Sequence, residues 1–274
     1  MKSTATIILN RNLAGPTEKL YEHLEKYDKS DTDIYVLEAG SDKDKLSKYY
    51  TWHANSKEII KHGLRYPRGM NYALLNLWKE KKWKDYDSFF LITNDTELRS
   101  GKTVLPLNNI LKEHKRVGIL SPCSSRWGEK ILLKEKNIKY FWFIHNNAFF
   151  LRKKFIEDIM ELNDPTYLNF LFDGSNFRGY LIENELIAKG YANNWAAAIT
   201  SEVFAEENES YLLNKSDLIK TENYEENIRL YLDEGMIWLK KKYGFNSRWS
   251  MQQYVKSFYD KFFEFYPEYK VYKL

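Results

Sequence analysis

The chain has 274 residues, which at about 150 residues per domain suits one large domain, or one domain with an appendage. A hydrophobic fraction of 43% and a charged fraction of 29% exclude a disordered polyelectrolyte, and a mean hydropathy of -0.61 argues against an integral membrane protein. The balance of 42 basic and 38 acidic residues gives a net charge of +4, and the basic residues are interleaved with acids, so no nucleic-acid partner is expected.

The first elements alternate. Thr6 to Leu9 reads as a strand, and Pro16-Thr17-Glu18 opens a helix with Leu20, Leu24 and Tyr27 on one face. Asp33 to Leu37 is a second strand, closed by the turn-forming Ala39-Gly40-Ser41-Asp42. Between Arg68 and Trp83, the residues Met70, Ala73, Leu74, Leu77 and Trp78 repeat at helical spacing. Ser88 to Ile92 and Arg116 to Leu120 read as buried strands, with Val104, Leu107 and Leu111 on a helix between them. Strands joined by crossover helices predict an α/β domain with a mostly parallel sheet.

The second half is more aromatic. Tyr140 to Ile144 is followed by His145-Asn146-Asn147, and this stretch reads as a core strand ending in a turn in preference to a sugar-stacking wall. Ala148 to Leu151 precedes a helix with Phe155, Ile156, Ile159 and Met160 on one face, and Leu181 to Lys189 reads as a helix ended by Gly190. Beyond Ala205, two stripes predict a C-terminal helical appendage: Ile228, Leu232, Met236, Leu239 and Tyr243, then Met251, Val255, Phe258, Phe262 and Phe265. The lysines Lys240 to Lys242 read as a solvated face in preference to a membrane contact. The expected boundaries are 1–204 for the main domain, with a nucleotide-sugar half to about 120 and an acceptor half from 121, and 205–274 for the appendage.

Cys123 is the only cysteine, so no internal disulfide forms, and it reads as a packed thiol. No apolar run reaches the 18 or so residues of a membrane span, and residues 1–4 lead straight into a short apolar run without signal-peptide features. A cytoplasmic protein is expected, with peripheral association at an inner membrane face or dimerisation through the C-terminal helices left open.

Ligands of open α/β sheets bind beyond the carboxyl ends of the strands. Those exits are Asn10-Arg11-Asn12, Glu38-Ala39-Gly40-Ser41-Asp42 and Thr93-Asn94-Asp95-Thr96-Glu97, all polar or acidic. Asp95 suits a divalent ion bridged to phosphate oxygens, although Asn94-Asp95-Thr96 also reads as a turn former. Neither a zinc pattern nor a glycine-rich nucleotide loop is present.

These motifs and their order, with Arg68-Gly69-Met70-Asn71, Ala148 to Lys153, Phe172-Asp173 and Tyr180 to Leu186 ahead of Gly190-Tyr191, resemble GT-A-fold glycosyltransferases of family 2, including rhamnosyltransferase-like members, over about residues 4–191. The resemblance implies a GT-A-like sheet and inverting transfer of a sugar from a nucleoside-diphosphate donor to a glycan or lipid-linked acceptor. It implies that Asn10 and Arg11 border the base, Glu38 contacts the nucleoside, Arg68, Asn71 and Asn94 lie near the donor, Asp95 binds Mn²⁺ or Mg²⁺, and Glu183 is the catalytic base. Glu38 stands where the family usually has Asp, Thr93 where its metal motif begins with an acid or Asn, and Ile182 where an acid often precedes the base. Those departures also suit a non-catalytic nucleotide-sugar or carbohydrate-binding relative. On a helix, Glu183 and Glu185 point about 200° apart, which leaves Glu185 supporting or solvent-facing.

Overall fold

The computed structural model describes residues 2–125, 138–144, 148–208, 210–213 and 218–274. The core is one sheet in the order β3-β2-β1-β4-β8-β6-β9-β5, with β7 on β9. β1 (Thr4–Asn10), β2 (Thr32–Ala39), β3 (Trp52–Ala54) and β4 (Ser88–Thr93) pair in parallel, whereas β8 (Ala148–Arg152) runs antiparallel between β4 and β6 (Val117–Cys123). β9 (Ala196–Glu207) lies parallel to β6, and β5 (Thr96–Leu98) and β7 (Ile138–Tyr140) pair antiparallel with β9. The sheet is parallel in its first half and mixed in its second.

Helices cover the sheet, which is why β1 and β4 are nearly continuous apolar runs with no solvated face. They are α1 (Ala14–Asp28), α2 (Lys57–His62), α3 (Arg65–Lys79), α4 (Val104–Glu113), α5 (Lys153–Ile159) and α6 (Ile182–Ala192). On α3 the anticipated face is buried, with Met70, Ala73, Leu74 and Leu77 fully inside. The helix begins earlier than its apolar period, at Arg65, because Pro67 is tolerated in a first turn, and it stops at Lys79 where Lys81 takes a left-handed conformation.

β9 is the longest element that the sequence did not announce, beside the short β3, β5 and α2. Ala196-Ala197-Ala198 has helical propensity, yet here small side chains let β9 lie in the sheet beside β6 and β7. β9 also runs through the expected boundary at 204/205. Gly190, expected to stop α6, lies inside it, and Asn193 caps the helix. Of the aromatic stretch, only Tyr140 belongs to a strand; it is fully buried, stacks on Tyr272 at 5.3 Å and bonds His114 at 3.0 Å, so it is core. His145, Asn146 and Asn147 lie outside the described residues.

The C-terminal helices α7 (Tyr224–Tyr243) and α8 (Arg248–Phe265) are docked. α8 packs on α6 through Tyr259 and Phe262 against Tyr191, with Met251 and Val255 fully buried, whereas Phe265 is 70% exposed. On α7, Trp238 and Leu239 are buried but Ile228 and Leu232 face outward. Gly235 lets α7 cross Tyr180 closely, since a Cβ there would lie 2.3 Å from Tyr180 Cβ. Lys240 to Lys242 are exposed as expected, and Lys242 also reaches inward. It bonds Asp173 at 2.5 Å and the buried Glu185 at 2.6 Å, and Tyr243 Oη donates to Glu185 at 2.6 Å. Glu185 is therefore a buried tie between α6 and α7, not a solvent-facing acid, because the docked helix supplies its partners.

Candidate active site

The parallel strands end together. Asn10 at the end of β1 donates through Nδ2 to both oxygens of Glu38, at 3.0 and 2.9 Å, and its Oδ1 accepts from Asn94 Nδ2 at 2.7 Å. Glu38 also accepts from Ser41 Oγ and from the Ser47 amide at 2.8 Å. Gly40, at φ 91°, allows the turn that brings Ser41 back, where a Cβ would strike the Ile59 carbonyl at 2.1 Å. Glu38 is fully buried and its carboxylate is fully engaged, as a buried charge must be.

Above this floor lies a cavity of about 190 Å³, lined in part by Asn10, Arg11, Arg65, Tyr66, Asn94 and Asp95. Its walls hold polar atoms without a partner among the described residues: Arg11 Nε, Arg65 Nε, Tyr66 Oη and Asp95 Oδ1. An unsatisfied buried polar atom costs about 1–3 kcal/mol, so four around one small space mark a place made for a polar guest. Burial holds the Asp95 carboxyl above the ordinary carboxylate range. Burial, and then the nearby Arg65 charge, lower Arg11 to about 10. Most of the Arg11 guanidinium caps the C-terminus of α2, donating to the carbonyls of Ile60 at 3.1 Å, Lys61 at 2.9 Å and His62 at 3.1 Å.

Glu183 lies in the first turn of α6. Leu181, at φ 56°, precedes it in a left-handed conformation that a branched side chain seldom adopts, as does Arg65 at φ 57° at the start of α3. Strain of this kind concentrates at functional sites. Burial pushes the Glu183 carboxyl up to about 7. Burial, and after it the Glu183 charge, raise Tyr66 and Tyr231, and burial also raises Tyr180. A carboxylate that holds its proton to near neutrality is suited to proton transfer.

Asn10, Arg11, Asn94 and Asp95 are thus brought together, with Glu38 beneath them. Arg68 and Asn71 are placed elsewhere. Asn71 is fully buried and clasps the 167–172 segment, donating to Tyr167 O at 3.1 Å and Phe172 O at 2.8 Å and accepting from the Leu171 and Phe172 amides at 2.9 Å. Arg68, in the first turn of α3, donates to Gly174 O at 2.7 Å and lines a separate cavity of about 590 Å³. Arg65 and Tyr66 were not singled out from sequence; the available signal was Pro67, which places a helix start, and its free amides, beside them.

No protein-family model matches the chain, and no curated protein matches it. Solved structures do match. A mannosyltransferase, PcManGT from Pyrobaculum calidifontis, in complex with GDP-Man and Mn²⁺, is 9% identical with a TM-score of 0.52, covering 92% of this chain and 68% of that one. GalNAc-T7 with UDP, GalNAc and Mn²⁺ is 9% identical with a TM-score of 0.57, covering 96% of this chain but 56% of that one, so the chain spans a little over half of its length. S. aureus TarS 1-349 in complex with UDP is 12% identical with a TM-score of 0.51, covering 88% and 74%. The fold is that of the GT-A glycosyltransferases. In this GT-A fold the cavity lies at the carboxyl ends of β1 and β4, where an open α/β sheet receives its ligand. No helix of the described residues is long and apolar enough to cross a membrane.

Proposed function

We propose that the chain is a glycosyltransferase that moves a sugar from a nucleoside-diphosphate sugar to a hydroxyl of a glycan or lipid-linked acceptor, with inversion. The observation that carries this reading is the cavity whose orphaned polar atoms include both guanidinium and carboxylate groups, with Glu183 and its carboxyl near 7 beside Tyr66. The solved GT-A structures carrying GDP-Man or UDP support it.

In this mechanism Glu183 accepts the proton of the acceptor hydroxyl as that oxygen bonds the anomeric carbon, and the bond from that carbon to the phosphate oxygen breaks with its electron pair on the diphosphate. Asn10, Arg11 and Asn94 border the nucleotide, and Glu38 holds Asn10 in register from below instead of reaching the nucleoside through its own occupied oxygens. Asn71 and Arg68 act at a distance, Asn71 by fixing the segment on which Asp173 and Gly174 lie.

Asp95 Oδ1 is a hard oxygen donor with no protein partner, and one carboxylate with phosphate and water oxygens is a sufficient set for Mg²⁺ or Mn²⁺. Among the described residues no group of three or more His, Cys, Asp or Glu could hold a metal by itself, so the ion would depend on the donor phosphates. Asp95 would hold it, and it would supply charge neutralisation at the departing diphosphate.

Calorimetric titration with UDP, dTDP, GDP and CMP, each with and without Mn²⁺, tests the reading. Binding of a nucleotide, strengthened by Mn²⁺, is expected; if none of them binds, the transferase reading is lost. The non-catalytic alternative is favoured by the single carboxylate at the cavity. It would be chosen by donor binding that persists without any turnover across a panel of sugar acceptors.

A further inference from the structure

The segment 218–222 crosses the mouth of the cavity. Leu218 and Ile219 line it, and the Leu218 carbonyl accepts from Arg11 Nη1 at 2.5 Å. Lys220 pairs with Asp42 at 2.5 Å in the turn after β2. Glu222 turns inward. Its Oε1 accepts from Arg65 Nη2 at 2.9 Å and from Arg178 Nη2 at 2.6 Å, and its side chain is only 5% exposed. Arg178 is held in turn by Glu234 and by Asn227 at 3.4 Å, and Arg65, Arg68 and Arg178 all flank the ring of Phe177 at 4.6–5.6 Å.

We propose that Arg65 and Arg178 form an anion clamp for the donor's diphosphate, and that Glu222 occupies this clamp as a stand-in for a phosphate until the donor displaces it. The proposal rests on the glycosyltransferase reading for the identity of the donor. A guanidinium fork serves a carboxylate and a phosphate by the same hydrogen-bond geometry, so one can replace the other. Arg65 has one nitrogen on Glu222 and another, Nε, orphaned at the cavity wall, so the carboxylate uses only part of what Arg65 offers. Arg65 also opens the 15-residue helix α3, whose first amides favour an anion. Arg11, which is 8% exposed and has its own unpartnered Nε at the cavity, extends the cationic wall. Arg11, Arg65 and Arg178 against Glu222 and Glu234 leave an excess of one positive charge, and release of Glu222 leaves two. Binding is weakened by whatever fraction of molecules holds the stand-in, and recovers when it is removed.

The test uses the full chain, titrated by calorimetry with inorganic pyrophosphate and with UDP and GDP and their monophosphates. Glu222→Gln, which removes the charge and keeps the side-chain volume, should tighten pyrophosphate and diphosphate binding about tenfold and monophosphate binding less. Lys220→Ala leaves both arginines on Glu222 but cuts the outer anchor of the segment, and should tighten the same ligands about twofold to fivefold. Arg65→Gln added to Glu222→Gln should cancel the gain. A gain for pyrophosphate with no nucleotide binding would uphold the clamp and sink the transferase reading. Nucleotide binding with no gain in a folded Glu222→Gln protein would overturn the stand-in and leave the transferase reading standing. Should Glu222→Gln fail to fold, Lys220→Ala decides: unchanged or weaker diphosphate binding overturns the proposal.

Discussion

Two groups of polar side chains lie at and above the carboxyl ends of the parallel strands, and they are opposite in kind. In the lower group, Asn94, Asn10, Glu38, Ser41 and the Ser47 amide form a closed chain of hydrogen bonds. In the upper group, Arg11, Arg65, Tyr66 and Asp95 each keep a buried atom without a partner, and Glu183 holds its proton to about 7. Polar burial alone does not mark a site. The closed group stabilises the fold, and the open group stores unmade bonds that a ligand can complete.

The sharpest way to break that contrast is to substitute one acid from each group. Glu183→Gln should lower transfer by about 10²–10⁴-fold in a steady-state assay while leaving donor affinity nearly intact. Glu38→Ala should cost about 3 kcal/mol in chemical denaturation, because Asn10, Ser41 and the Ser47 amide all lose their acceptor, and its effect on transfer should track the unfolded fraction. Equal stability losses for the two variants would erase the distinction.

pH separates them further. The folded-state carboxyl of Glu183 lies above its ordinary value of 4.5, so the charged form is disfavoured by folding. The cost is absent below about pH 4.5, grows between 4.5 and 7, and is complete above 7. Glu183→Gln should therefore match the parent in stability at pH 4 and exceed it by up to about 3 kcal/mol at pH 8 in urea melts. The base must be ionised to act, so kcat/KM should rise with pH through an apparent pKa near 7, and a profile flat from pH 5 to 8 would remove Glu183 from the chemistry.

Asp95→Asn should abolish the Mn²⁺ dependence of nucleotide binding while changing the melting temperature little, since Oδ1 has no protein partner and the amide oxygen can still accept from Thr93. The smallest contrast lies in the lysines at the end of α7. Lys242→Ala should cost roughly 1–2 kcal/mol through Asp173 and Glu185, and Lys240→Ala, on an exposed position, less than about 0.5.

Three strands of the parallel half, β1, β2 and β4, were legible in sequence because each is a largely buried run that ends in a polar turn, and their exits carried Asn10, Glu38, Asn94 and Asp95 directly. β3, a three-residue edge strand that is only partly buried, carried no such signal. What sequence concealed depended on distant partners. Asn71 reads like a site residue, yet a segment 100 residues away consumes it. Glu185 reads as supporting or solvent-facing until α7 docks on it, and Ala196 to Ala198, which carries no strand signal of its own, is strand where β6 and β7 flank it. Arg65, Arg178 and Glu222 form a cluster only after residues over 150 positions apart are folded together, as the Arg65 to Glu222 pair shows.

Gly235 has a consequence for the division of the chain. Alanine would favour helix α7 by about 1 kcal/mol in propensity, but its methyl group would overlap Tyr180, three residues before Glu183. Helix α7 and the turn that leads to Glu183 thus meet at a position with room only for a glycine hydrogen. A change in how α7 lies, from whatever cause, would reach the turn that carries Glu183 as a displacement, and since Asn227 of the same helix lines the cavity, the spacing set at Gly235 also bears on the cavity wall.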